Sequence, residues 1–198
     1  MTPRKRSEMR DTQRAVAKII RENKAKLIIM GMGAGKTGAA LDAAYDLLSR
    51  FEVAHVLVIA PKFVATNTWP DEIKAWEHTR AMSCAVAVGD PVTRREALRQ
   101  RAEITTINTE NLPWLAKYLR TVENWWFDMV IIDESSRFAA GEARTKATKI
   151  KTVNAEGDIV TKVRKGGNMA RFGIMTTARR KIDRIIELTG TPAPQGIR

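Results

Sequence analysis

Cysteine and histidine are nearly missing from this 198-residue chain: Cys84 stands alone, and His55 and His78 are the two histidines. A single thiol excludes an intrachain disulfide and any thiolate metal cluster built from this chain. Neither histidine has acidic or cysteine companions at ligand spacing, so the sequence offers no zinc-type site. No apolar run approaches the roughly 20 residues of a membrane-spanning helix, and the basic start Met1–Arg10 is not followed by the apolar stretch of a secretory signal. The expectation is a cytoplasmic protein without a membrane partner. Acidic residues are also scarce, since 34 Lys and Arg against 22 Asp and Glu leave a net charge of +12. Such an excess favours a polyanionic partner, because neutralising phosphates drives sequence-independent nucleic-acid binding, although a solvated basic surface gives the same count. Internal repeats and Pro/Ser-rich linkers are absent, and 44% of the residues are hydrophobic. That composition suits one core and a single domain over residues 1–198.

What is present is a rhythm of short apolar runs between amphipathic stretches: Leu27–Met30, Val56–Ala60, Cys84–Val88, Ile104–Ile107, Met129–Ile132 and Ile185–Leu188. Such runs are expected of a mainly parallel sheet buried on both faces. Leu41, Ala44, Tyr45 and Leu48 fall at i, i+3, i+4 and i+7, which predicts a helix with one apolar face just after a glycine-rich segment. The fold class is therefore α/β with three layers. Residues 145–169 break the rhythm, being polar around Asn154-Ala155-Glu156-Gly157-Asp158 with short alternating flanks, and they predict an inserted basic hairpin.

Three places carry chemistry. Met30-Gly31-Met32-Gly33-Ala34-Gly35-Lys36-Thr37 follows one predicted strand and opens a predicted helix, the context that a phosphate loop requires. Gly33, Ala34 and Gly35 would turn backbone N–H groups toward a triphosphate, Lys36 would reach the β and γ phosphates of ATP, and the Thr37 hydroxyl would ligate Mg²⁺. Met30 stands where the strict pattern has its first glycine. Next, Met129–Ile132 ends in Asp133-Glu134, at the strand end where an open α/β sheet presents ligands. Asp133 can hold Mg²⁺ directly or through its outer shell, and Glu134 can orient and deprotonate the attacking water. Taken alone, the pair also fits a helix start decorated with acids. Third, Leu188-Thr189-Gly190-Thr191-Pro192 ends another predicted strand, where Thr189, Gly190 and Thr191 either form a plain turn or sense the γ-phosphate through the neighbouring acids.

In that order and spacing, Gly33-x-Gly35-Lys36-Thr37, Asp133-Glu134-Ser135-Ser136 and Leu188-Thr189-Gly190-Thr191-Pro192 resemble motifs I, II and III of superfamily-two helicases, most closely the Swi/Snf-like branch carried by phages. Val58-Ile59-Ala60-Pro61-Lys62 with Trp69-Pro70-Asp71-Glu72-Ile73 and Trp76 is similar to the motif Ia region, and Ile107-Asn108-Thr109-Glu110-Asn111-Leu112-Pro113-Trp114-Leu115 resembles motif Ib. The resemblance implies an N-terminal RecA-like P-loop domain that uses ATP and Mg²⁺. It also implies DNA-backbone contacts at Pro61, Lys62, Asn108 and Glu110. Gln13 matches the family's adenine-reading glutamine, with Thr12 in place of the usual aromatic neighbour.

The tryptophans can stack on bases or pack in the core, and core packing is the expectation for most. The basic residues from Arg137 to Lys181 far outnumber the acidic ones there, so Lys149, Lys151, Arg164 and Lys165 are candidates for phosphate contacts. Motifs IV to VI do not follow Pro192, so the resemblance implies that a second RecA-like domain, with the arginine finger, lies on another chain or in a longer protein. The function expected is the ATP-binding half of a DNA-dependent ATPase that moves on or remodels DNA and is weak in isolation. The alternative is a free-standing ATP- and DNA-binding module with a regulatory or competitor role.

Overall fold

The computed structural model describes residues 2–121, 125–134 and 181–190, together with the backbone of 148–153 and 159–164. Its centre is a six-stranded sheet of β1 (Ala25–Ile29), β2 (Val56–Ala60), β3 (Cys84–Val86), β4 (Ile104–Asn108), β5 (Met129–Asp133) and β8 (Arg184–Thr189). The strand order is β1-β8-β5-β2-β4-β3, and every pairing is parallel. The central strands are short runs of Val, Ile and Leu, residues whose branched side chains pack well on a pleated, doubly covered surface.

Side chains alternate across the sheet and so sort the core into two. Val58, Ile131 and Ile186 face α1 (Asp11–Glu22), α2 (Lys36–Ser49) and α3 (Trp69–Ala75). Leu57, Ile59, Val130 and Ile132 face α4 (Pro91–Arg99) and α5 (Leu112–Thr121). The three-layer α/β architecture expected from the sequence is present. Local signals set the helix starts: Pro91 opens α4, and the Asp90 carboxylate caps it by accepting from the N–H groups of Val92 (2.8 Å) and Thr93 (3.1 Å).

Two expectations need correction. Burial on both faces fails at β1, where Leu27 and Ile29 are 51% and 53% exposed while Ile28 is buried. Leu27 and Ile29 turn to the face covered by α4 and α5, but those helices pack over β2, β4 and β5 and do not reach β1. The α2 stripe is also wider than predicted. Leu41 and Ala44 are buried and Tyr45 and Leu48 half-buried, but Ala39, Ala40, Ala43 and Leu47 are buried too, because α2 lies between α1 and the sheet.

That placement buries Asp42, which cannot stay charged without partners. Arg6 Nε (2.6 Å), Arg21 Nη1 (3.1 Å) and His78 Nε2 (3.2 Å) surround its carboxylate, and Arg6 and Arg21 also reach Asp46 at 2.7 and 3.0 Å. The cluster clamps the segment before α1, and α1 itself, onto the helix that follows the glycine-rich loop. Separately, β6 (Thr148–Val153) and β7 (Ile159–Arg164) pair antiparallel, as the predicted hairpin requires; its turn residues lie outside the described residues.

Candidate functional site

The parallel register brings the carboxyl ends of β1, β8, β5, β2 and β4 to one edge of the sheet. Past β1, the Met30 N–H still donates to the Thr189 carbonyl (3.1 Å), and the chain then turns through Gly33 (φ 70°) and Gly35 (φ 82°) into α2. Both glycines hold left-handed conformations that side-chain-bearing residues avoid. Among the described residues, a Cβ at Gly31 or Gly33 would meet nothing within 4 Å, so none of them packs against this side of the loop. Lys36 is buried, and its Nζ folds over the loop to donate to the carbonyls of Met30 (2.9 Å) and Gly31 (3.1 Å). An ammonium has three donors, so a third remains for a ligand. Thr37 is half-buried in the first turn of α2. Gly190, at the end of β8, lies against this lysine: a Cβ there would stand 3.7 Å from Lys36 Nζ and 3.5 Å from Met32 Cγ.

On the next strand, Asp133 is 5% exposed and turned toward the α2 and α3 layer. Its Oδ2 accepts the indole N–H of the fully buried Trp69 at 3.0 Å. Burial pushes the Asp133 carboxyl above the usual carboxylate range, with repulsion from Glu134 adding to the rise; the Trp69 hydrogen bond and the Lys36 charge pull against it. Glu134 follows at φ 61°, a left-handed conformation uncommon outside glycine, with a cost of about 1–3 kcal/mol that the surrounding structure must hold.

The third wall comes from α1. Gln13 is buried; its Oε1 accepts from Arg10 N (3.1 Å) and Nε (3.4 Å), and its Nε2 donates to the Gly35 carbonyl (3.3 Å). A Cβ at Gly35 would come within 2.3 Å of Gln13 Nε2, so that side chain would have to leave its place on the loop, and the left-handed φ of 82° itself favours glycine. Arg10 Nη2 donates to the Gly33 carbonyl (3.2 Å). Sequence reasoning chose Gln13 and missed Arg10, whose only signal was its place at the cap of the helix carrying Gln13.

These residues fit Mg-ATP. A helix N-terminus and a lysine face the loop, and the buried Asp133 carboxyl stands close enough for the Lys36 charge to pull its pKa down.

The nucleic-acid candidates divide. Lys62 is exposed and Pro61 half-buried just past β2, with the neighbouring Phe63, not singled out from the sequence, 73% exposed. Asn108 is buried, donating to Glu110 Oε2 (2.7 Å) and accepting from Asn111, so its amide is committed to the shape of its own loop; Glu110 is exposed. Thr109 Oγ1 donates to the Ala60 carbonyl (3.3 Å) and ties this loop to the end of β2. In the hairpin, Lys149 and Lys151 pair in register with Val163 and Thr161, and Arg164 with Thr148. Lys165, Thr191 and Ser135-Ser136 lie outside the described residues. Trp69 and Trp76 are buried as expected of core residues.

The ResIII family, described as "Type III restriction enzyme, res subunit", matches residues 6–193. Protein p41 of Acyrthosiphon pisum secondary endosymbiont phage 1 is 35% identical over 169 residues, covering 84% of this chain and 32% of that protein. Among solved structures, the Sulfolobus solfataricus SWI2/SNF2 ATPase core in complex with dsDNA is similar with a TM-score of 0.64 at 19% identity, covering 93% of this chain and 32% of that one. The Pyrococcus furiosus Hef helicase domain is similar with a TM-score of 0.64 at 17% identity, covering 96% and 34%. The chain spans about a third of the length of these relatives. The two structures share its RecA-like fold.

The buried acid yields a stability prediction. Folding raises the Asp133 pKa, so the folded state favours the protonated carboxyl, and that advantage is lost as pH rises through the folded pKa. Asp133→Asn, measured by thermal denaturation without Mg²⁺ or nucleotide, should melt near wild type at pH about 4, and above wild type at neutral pH. A gap that does not widen with pH would remove the buried charge as its cause.

Proposed function

The chain belongs to the ResIII family and has the N-terminal RecA-like fold of a superfamily-two helicase, and on that footing we propose that it is the ATP-binding half of a DNA-dependent ATPase. The observation that carries the reading is the convergence of Lys36, Gly190 and Asp133, from three adjacent strands, on one edge of the sheet.

In this reading Lys36 exchanges the carbonyls of Met30 and Gly31 for the β and γ phosphates of ATP, while the N–H groups of Gly33, Ala34 and Gly35 cradle them. Thr37 and Asp133 hold Mg²⁺, which when bound draws negative charge off the phosphoryl group being transferred. Glu134 orients the attacking water and takes its proton. Thr189, Gly190 and Thr191 carry the state of the γ-phosphate into β8. Gln13 has one amide N–H left for the adenine edge, with Arg10 beside it. A second RecA-like domain, on another chain or in a longer protein, faces this surface and contributes an arginine finger, worth roughly 10³–10⁵ in rate. DNA, which the SWI2/SNF2 core holds in its complex, runs in this reading past Pro61, Lys62, Asn108 and Glu110, the motif positions, with Lys149, Lys151, Arg164 and Lys165 adding phosphate contacts. The net charge of +12 supports that partner.

Calorimetric titration with Mg-ATP should show binding that Lys36→Ala abolishes or weakens at least about tenfold, as expected for loss of a charged hydrogen bond. Equal affinities would remove Lys36 from the site. DNA affinity should fall steeply with salt. Replacing Lys149, Lys151, Arg164 and Lys165 together by alanine should reduce both affinity and the salt slope; an unchanged slope in anisotropy titrations would leave the contact to the loops after β2 and β4. Alone, the chain should hydrolyse ATP slowly and with little DNA stimulation. Adding a second RecA-like domain should raise DNA-stimulated turnover by orders of magnitude, and Glu134→Gln in that assembly should keep ATP binding while losing turnover. Brisk turnover by the chain alone, with sedimentation showing a monomer, would refute the half-site reading, and failure of any second domain to restore turnover would favour a binding module.

A further inference from the structure

We propose that Trp69 is a positioning residue for the metal site: its indole N–H fixes the Asp133 carboxylate in the one orientation that presents the other oxygen, Oδ1, to Mg²⁺. The inference rests on the nucleotide-site reading above and assigns a role to a residue that reading leaves unused.

The geometry is specific. Tryptophan has a single side-chain donor, and here that donor points at Asp133 Oδ2 from 3.0 Å. The ring cannot turn the donor elsewhere, because Trp69 is wholly buried in the core that also holds Ala60, Ala65 and Ile73. Asp133 ends a strand paired by β2 as far as Ile132 and by β8 through Asp133 itself, beside Leu188, so its Cα is held at the end of a doubly paired strand. What remains free at a strand-end aspartate is rotation about its side-chain bonds. A donor locked in the core removes that freedom, and Mg²⁺ rewards this because it demands near-ideal octahedral geometry at short distances. A core tryptophan needs a partner for its N–H, but a backbone carbonyl would serve for packing alone; Trp125 uses one, donating to the Phe127 carbonyl at 2.9 Å. At Trp69 the partner is instead the acid at the metal position.

The test separates positioning from packing. A non-hydrolysable ATP analogue is titrated calorimetrically into the full chain, once with Mg²⁺ and once with EDTA, for wild type, Trp69→Phe, and a variant in which Trp69 is replaced by 3-benzothienylalanine, which keeps the shape and lacks the N–H. Wild type should bind more tightly with Mg²⁺. Both variants should keep the EDTA affinity within about twofold and lose about tenfold of the Mg²⁺ enhancement, the scale of one hydrogen bond to a charged group. In an Asp133→Asn background, replacing Trp69 should change nothing further. If Trp69→Phe fails to fold, the isosteric variant decides. Full Mg²⁺ enhancement in the folded variants overturns the positioning role while leaving the nucleotide site intact. Absence of analogue binding to wild type overturns the nucleotide-site reading, and this inference with it.

Discussion

Threading β8 between β1 and β5 turns three separate strand ends into one site. Arg184 lies far from Asp133 in sequence, and closing so long a connection carries an entropic cost that local structure does not recover. The return comes from pairing on both sides: Ile29 stands beside Thr189, and Leu188 beside Asp133. Remove β8 and the glycine loop and the acids end strands that are no longer linked through a neighbour. With it in place, Gly190 lies beside Lys36, where even an added Cβ would already be in van der Waals contact with the ammonium.

The same edge collects groups that weaken the fold. Asp133 is a buried acid, Glu134 a left-handed backbone residue, and Lys36 a buried ammonium satisfied by carbonyls of its own loop. Each would be a fault in a protein selected for stability alone, and clusters of such features mark functional sites. By contrast, the buried Asp42 is compensated by two arginines, and its consequence is mechanical. It fastens α1 to α2, and that contact holds Gln13 and Arg10 against the glycine loop from a segment more than twenty residues upstream.

Much of this was legible in the sequence because parallel strands announce themselves. The runs read from the sequence as Val56–Ala60, Ile104–Ile107 and Met129–Ile132 are the strands Val56–Ala60, Ile104–Asn108 and Met129–Asp133, limits that agree to within a residue. The hairpin was legible through its alternation. Coverage was not, since an apolar run at Leu27–Ile29 says nothing about which helix layer reaches it, and β1 proved open on one face. Asn108 resembles a backbone-contacting residue from its motif; the structure adds that its amide also donates to Glu110 and accepts from Asn111, a local arrangement that motif spacing does not encode. Trp69 was read as core, which it is; its bond to Asp133 joins residues 64 apart and needed the fold to be seen.

That bond sits where two surfaces meet. The Ala65 N–H donates to the Pro61 carbonyl (2.9 Å), and the Trp69 N–H donates to the Val64 carbonyl five residues back, closing a π-helical turn, Val64–Thr68, that runs directly into Trp69. Thr106 Oγ1 donates to the Ala65 carbonyl (2.7 Å), so β4 holds the same turn from the other side. The exposed Lys62 and Phe63 therefore sit a short, tightly bonded stretch away from the donor that faces Asp133. Single π turns inside helices are uncommon and often sit at functional sites. The start of α3 touches both places: one end borders the exposed Lys62 and Phe63, and at the other the Trp69 indole meets Asp133, so the buried donor is anchored by the same short stretch that carries the exposed pair.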